Sequence, residues 1–68
     1  MNMNIVLNGQ PTQLDAVRTV RDLVAHLGYQ DKRIAVERNG DIVPKSQHAE
    51  AALAEGDRIE IVVAVGGG

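Results

Sequence analysis

The residues with the clearest chemical potential are Gly66, Gly67 and Gly68, which close the chain directly after its most apolar strand-like run. A glycine run buries no side chain and loses the most conformational freedom on ordering, so it has no task in folding. What it offers is a slender arm that ends in the Gly68 carboxylate. If packing ends near Val63, the residues beyond it reach roughly 17 Å at about 3.4 Å each, enough to enter a narrow cleft on a partner. An α-carboxyl group has an ordinary pKa of about 3.3 to 3.7, so at neutral pH it is an anion and a poor electrophile. Activation must come from outside, for example as a mixed anhydride whose leaving group a nucleophile displaces. Gly68 carries no side chain to obstruct that attack, and Gly66 and Gly67 let the backbone pass close to a nucleotide pocket. A linker remnant is the competing reading, and the absence of any other low-complexity segment argues against it.

Other chemistry is thinly represented. The chain has no cysteine, which excludes disulfides, thiol catalysis and cysteine-ligated metals. His26 and His48 do not make a structural metal site by themselves, and no carboxylate pair, nucleophile–base pair or phosphate loop is evident. The formal net charge is -2 and Tyr29 is the sole aromatic residue. A basic patch or stacking platform for nucleic acid is therefore not expected. No stretch approaches the ~20 apolar residues of a membrane span, and the N-terminus lacks signal-peptide character, so the expected location is the cytoplasm.

The elements that must position the tail are marked by the other glycines. At 68 residues the chain is expected to be one domain, residues 1–68, with a flexible tail over about 64–68. Asn8-Gly9 is a strong hairpin signal between strands predicted at 3–7 and 12–16, with Pro11 suited to an edge strand. Alternation places Ile5 and Leu7 on one face and Asn4, Val6 and Asn8 on the other, while Thr12 and Leu14 point inward. Thr19 to Asp22 reads as a capping box, followed by Val20, Leu23, Val24 and Leu27 at helical spacing and by Gly28 as a C-terminal stop. A third strand is expected at 34–38, then Asn39-Gly40, a short extended piece at Ile42-Val43 ended by Pro44, and a helical turn capped by Ser46 and running through Glu50 to Leu53. The Glu55-Gly56-Asp57 turn leads into a last strand at 58–65, in which Ile59, Ile61 and Val63 alternate with Arg58, Glu60 and Val62.

This order lets the first and last strands lie side by side in a mixed sheet with the helix packed across one face. The fold class expected is α+β, and a β-grasp (ubiquitin-like) arrangement is one of a few topologies that the order of elements permits. Val6 and Val62, with Ala64 near the tail, then form a candidate docking face on the side away from the helix. Charges at Glu55, Asp57, Arg58 and Glu60 read mainly as solvated surface.

In combination, Ile5-Val6-Leu7-Asn8-Gly9, Thr19-Val20 with Leu23 and Val24, Ala35-Val36-Glu37 leading to Ile42-Val43-Pro44, Glu55-Gly56-Asp57, Ile59-Glu60-Ile61 and the terminal glycines resemble the ThiS family of sulfur carriers in thiazole biosynthesis. The resemblance covers essentially the whole chain. Two departures stand out: His48 occupies a position where the family often carries an aromatic residue, commonly Trp, and Gly66 adds a third glycine to the usual terminal pair. The resemblance implies a co-substrate rather than an enzyme, with no stably bound cofactor. Gly68 would be adenylated by a ThiF-like enzyme that uses ATP, take sulfur from a persulfide protein, and pass it as a thiocarboxylate to a ThiG-like thiazole synthase. The activation chemistry leaves two alternatives open, a small subunit of a molybdopterin synthase-like complex and a ubiquitin-like protein modifier. The former are usually longer and richer in Phe, which this chain lacks.

Overall fold

The structure, a computed structural model, describes residues 2–64. Strands β1 (Asn2–Leu7) and β2 (Gln10–Asp15) pair antiparallel around Asn8-Gly9, whose φ angles of 50° and 80° are both positive. That is the backbone a tight type I′ connection demands, and Asn-Gly is the pair that adopts it most readily. Pro11 lies within β2, at the edge of the sheet, where its missing N–H costs no ladder bond. The strand expected over 12–16 begins two residues earlier and stops at Asp15, because Ala16 swings to a φ of 61°. This kink turns Val17 into the core, a burial the alternation pattern did not assign.

Helix α1 (Val20–His26) starts with the capping box read from the sequence: Thr19 Oγ1 accepts from the Asp22 amide, and Asp22 Oδ2 accepts from the Thr19 amide. The short aspartate suffices because it also accepts from the Arg18 amide. Two further first-turn donors are satisfied from a distant segment, Val20 by the Ala51 carbonyl and Arg21 by the His48 carbonyl, both at 2.9 Å. The helix start therefore has no orphan N–H among its first four. Past the helix, strands β3 (Ile34–Arg38) and β4 (Asp41–Val43) form a second hairpin, and β5 (Arg58–Val63) closes the sheet in the order β2-β1-β5-β3-β4. Only β1 and β5 run parallel; the other neighbours are antiparallel.

The segment before β5 departs from expectation. A 3-10 turn covers Lys45–Gln47 with Pro44 at its N-cap and no side-chain cap, so Ser46 does not serve that role. A helical turn through Leu53 does not form, because its backbone groups are used elsewhere: the His48 and Ala51 carbonyls serve α1, and the Leu53 amide donates to the Arg18 carbonyl. His48 is buried, and its Nε2 lies 3.0 Å from the Val43 carbonyl. Since that oxygen can only accept, Nε2 is the protonated nitrogen.

The core is built from branched aliphatics alone: Ile5, Leu14, Val20, Leu23, Val36, Ile59 and Ile61 pack with Val17, Val24 and Leu53 between the sheet and α1. Each such side chain contributes about 1.5–3 kcal/mol on burial, so a small set suffices to set register. Ile5, Val36, Ile59 and Ile61 all face inward, whereas Leu7, Ile34 and Val63 are half-buried. Thr12, expected inward, is also half-buried and donates its hydroxyl to the Gln10 carbonyl.

One side chain extends the central pairing. Asn8 Oδ1 accepts from the Ile61 amide at 2.8 Å and Asn8 Nδ2 donates to the Ile61 carbonyl at 3.3 Å. After β1 has turned away, an amide side chain thus mimics the next residue of the strand. Asn8→Ala should destabilise the domain by about 1–3 kcal/mol in urea unfolding, since it leaves the Ile61 backbone groups without their partner. Asn8→Gly, which tolerates the positive φ, should lose less; equal stability of Asn8→Ala and wild type would remove this role.

Candidate tail root and docking face

The tail root is fixed by the last rungs of the sheet. Ile34 is opposite Val63, and one residue further the Ala64 amide donates to the Arg33 carbonyl at 2.9 Å. The described chain thus ends beside the start of β3. Gly66, Gly67 and Gly68, the candidate reacting group and its arm, lie outside the described residues. Among the described residues no strand flanks β5 on its β1 side beyond Asn8, so the end of β5 is held from the β3 side.

The outer face of the sheet, away from α1, can be read from the register. Val62 is opposite Ala35, and Glu60 is opposite Glu37, which is in turn opposite Ile42. Val62 and Ile42 are 65% and 71% exposed, the large hydrophobics most open to solvent. Val6 shares this face but is half-buried, opposite Pro11 on one side and Arg58 on the other. Val6 and Val62 are therefore on adjacent strands yet four residues out of step, roughly 13 Å along the strand direction. Val62, Ala35 and exposed Ala64 cluster at the tail root, and Val6 sits near the opposite end of β5.

Ile42 was not singled out from the sequence as a candidate for this face. Its signal was present: in Ile42-Val43 only one residue can point inward, and Val43, opposite buried Val36, is the one packed against the core. Glu37 and Glu60 form a like-charged pair directly across two strands, an arrangement that costs stability in a sheet. Together the face presents two exposed aliphatic residues bracketing two carboxylates, with Arg58 next along β5.

The turn that feeds β5 is held by Asp57. Its carboxylate is buried and accepts from Arg38 Nε at 2.8 Å, Asn39 Nδ2 at 3.1 Å and the Ala54 amide at 2.8 Å. Asn39 returns the contact by accepting from the Arg58 amide. On the other side of the turn, Glu55 accepts from the Asn4 amide and side chain. Burial alone opposes the Asp57 charge, but the donors from Asn39, Ala54 and Arg38 outweigh it and hold its carboxyl below the ordinary value of 3.8. Asp22 is likewise lowered, first by the Arg18 and Thr19 amides that point at it. Among the described residues, no group of three or more His, Asp and Glu side chains is placed to hold a metal ion, and no helix is long and apolar enough to cross a membrane.

The mixed five-stranded sheet with one helix on its inner face defines a β-grasp domain. The ThiS family model matches residues 5–68, and the chain belongs to that family. A thiazole synthase of Paramagnetospirillum magneticum is 46% identical over 66 residues, a match that takes in 97% of this chain but 20% of that protein. The chain thus spans about a fifth of the length of that relative, and the same holds for a thiazole synthase of Magnetococcus marinus. The sulfur carrier protein ThiS of Escherichia coli is 33% identical over 66 residues, with 97% of this chain and 100% of that one covered. Among solved structures, a thiamine biosynthesis protein (ThiS) from Geobacter metallireducens superposes with a TM-score of 0.81 at 30% identity, over 97% of this chain and 100% of that one.

The lowered Asp57 value fixes the sign of a pH effect. A carboxylate whose folded pKa lies below its unfolded value stabilises fully above about pH 4, and that contribution is lost as the pH falls through the folded value. Asp57→Asn should unfold at lower urea than wild type at pH 7, and the gap should narrow as the pH is lowered below about 4. A gap independent of pH would mean that the Asp57 charge is not what anchors this turn.

Proposed function

We propose that this chain is a sulfur carrier of thiamine biosynthesis, working as a protein co-substrate in the cytoplasm and holding no cofactor of its own. The observation that carries the reading is the family match running to residue 68, through the last glycine. In the proposed cycle a ThiF-like enzyme uses ATP to convert the Gly68 carboxylate into an acyl-adenylate. The terminal sulfur of a protein persulfide then displaces AMP to give an acyl disulfide. A thiol from outside this cysteine-free chain cleaves its S–S bond by exchange and leaves with the donor sulfur as a disulfide, and the thiocarboxylate so released delivers sulfur to a ThiG-like thiazole synthase. The adenylate is required because a carboxylate is a poor electrophile, whereas a mixed anhydride offers a leaving group.

The placement of the tail root suits this traffic. The described chain ends at Ala64, one residue after β5, beside Arg33 and next to exposed Val62 and Ala35. A partner that covers this part of the outer face lies where residues 65–68 begin. The thiazole synthase relatives add support for the receiving partner, because a segment like this chain is there covalently part of the synthase. Domains joined in one protein in some organisms commonly act on one another as separate proteins elsewhere.

The chemistry is tested by intact-mass analysis of the chain isolated with its partners under thiamin starvation. The expected product has one terminal oxygen replaced by sulfur. An unmodified carboxylate overturns the reading, and a ladder of heavier conjugates points to a protein modifier. Gly68→Ala should fold normally but be adenylated poorly, and Gly67→Val should be worse. Val62→Asp should weaken partner affinity about tenfold or more while leaving the unfolding curve in place, as expected for a charge set into an apolar contact. Unchanged affinity would remove Val62 from the docking face.

A further inference from the structure

On the helix side of the same end of the sheet lies a groove that the proposed cycle does not use. It has a volume of about 500 Å³ and runs between α1, the loop that leads into β3 and the 3-10 segment after β4. A second hollow of about 570 Å³ adjoins it, sharing Val24, Gln30, Lys45 and His48. Four cationic side chains line the two, Arg21 from α1, Lys32 and Arg33 from the loop, and Lys45 from the 3-10 turn. The chain has seven Lys and Arg in all and a net charge of -2, so more than half of its positive charge converges on one groove of an acidic protein. Among the described residues, Asp31 is the one acidic residue in the lining.

The groove is adjacent to the exit of the tail. Arg33, on its rim, accepts through its carbonyl the amide of Ala64, and Ile34, also in the lining, is opposite Val63. The floor is rigid: His48 is buried and tied to Val43, and its own carbonyl is bonded to the start of α1. The four cations are exposed and are distributed over three segments, α1, the loop before β3 and the 3-10 turn, along two adjoining hollows. An extended ligand that carries several separated negative charges fits such a trough better than a single phosphate does.

We infer that this groove is the docking site for an acidic segment, a run of Asp and Glu side chains, of the partner protein that receives the tail. The inference rests on the sulfur-carrier reading only for the identity of that partner. Charge of this kind, placed beside the tail root, would draw the partner in and orient it before the shorter-range contacts at Val62 form. The outer face presents Glu37 and Glu60, so the two sides of the tail root differ in sign and allow one orientation of the partner.

Two measurements test this. In the first, a hexaglutamate peptide is titrated into the isotope-labelled chain and backbone amide shifts are followed, with inorganic phosphate as the parallel probe. Shifts confined to Val24, residues 29–34 and residues 45–49, and lost in Arg21→Glu/Lys45→Glu, support the groove. Shifts scattered over the surface, no shifts, or equal shifts with phosphate overturn the acidic-segment assignment, the last in favour of a small-anion site. In the second, association with a ThiG-like synthase is timed at low and high salt. Arg21→Glu/Lys45→Glu should associate about tenfold more slowly at low salt, with the difference gone at about 1 M salt, where screening acts over about 3 Å. Equal rates for the double variant and wild type overturn the proposal. If Val62→Asp weakens binding and the double variant does not, the groove fails and the docking face stands; the reverse pattern sinks the docking face alone. Arg21 and Lys45 are both exposed, and unchanged unfolding curves confirm that the variants are folded.

Discussion

The parallel pairing of the first and last strands is the constraint from which the rest of the structure follows. Two backbone bonds, Val6 N–H to the Asp57 carbonyl and Asn8 N–H to the Ile59 carbonyl, fix β5 beside β1 in the centre of the sheet. Because the two strands run the same way, they cannot be joined by a tight turn, and the intervening chain must cross over one face. That crossover is α1 with the β3–β4 hairpin, and it brings the core side chains of α1 onto Ile5, Val36, Ile59 and Ile61. The same offset carries β5 past the end of β1, so that its last residues emerge at an end of the sheet where only β3 accompanies them.

The crossover would be loose without its backbone stitches. Residues 48–53 form no regular helix or strand, and an unpaired backbone next to a core is costly. Here their carbonyls are used by the first amides of α1, and the Leu53 amide uses the Arg18 carbonyl. The helix start and the irregular segment satisfy each other, which explains how seven helical residues hold their place although so short a helix is not stable alone. Asp57 does the same for the turn before β5, spending a buried charge to fix where that strand begins.

Much of this was legible in the sequence, and the failures have a common cause. Both Asn-Gly turns, the Thr19–Asp22 box, the inward residues of the strands and the edge location of Pro11 follow from local preferences, which agree with the final fold. Those local signals give the order of the elements and leave the β-grasp topology as one of a few that this order permits, which the family resemblance then narrows. Ser46 and the turn through Leu53 were misread because their local propensity is helical, while the distant helix start claims their backbone. Val17 was missed for a related reason, since its burial depends on the positive φ of Ala16, a conformation an alanine does not announce. On the outer face, alternation gave the side on which Val6 and Val62 lie but not the register between parallel strands. That register, set by Val6 opposite Arg58, separates the two valines and leaves Val62 with Ala35 at the tail end, one rung beyond the row of Glu60, Glu37 and Ile42.

The distribution of charge and apolar surface around the tail root has a physical logic that neither feature has by itself. An exposed aliphatic residue such as Val62 gains from contact with any apolar surface, so it gives affinity without direction. Cations at Arg21, Lys32, Arg33 and Lys45 on one side and the Glu37–Glu60 pair on the other act over several ångströms and differ in sign. The glutamate pair is costly within the sheet, and no hydrogen bond among the described residues requires it to be acidic on both strands. Its cost is understandable if the pair meets a complementary surface and repels an incorrect one. Under the proposed sulfur-carrier function, discrimination between partners cannot come from the terminal glycines, which carry no side chains. It has to come from the surface around the point where the tail emerges.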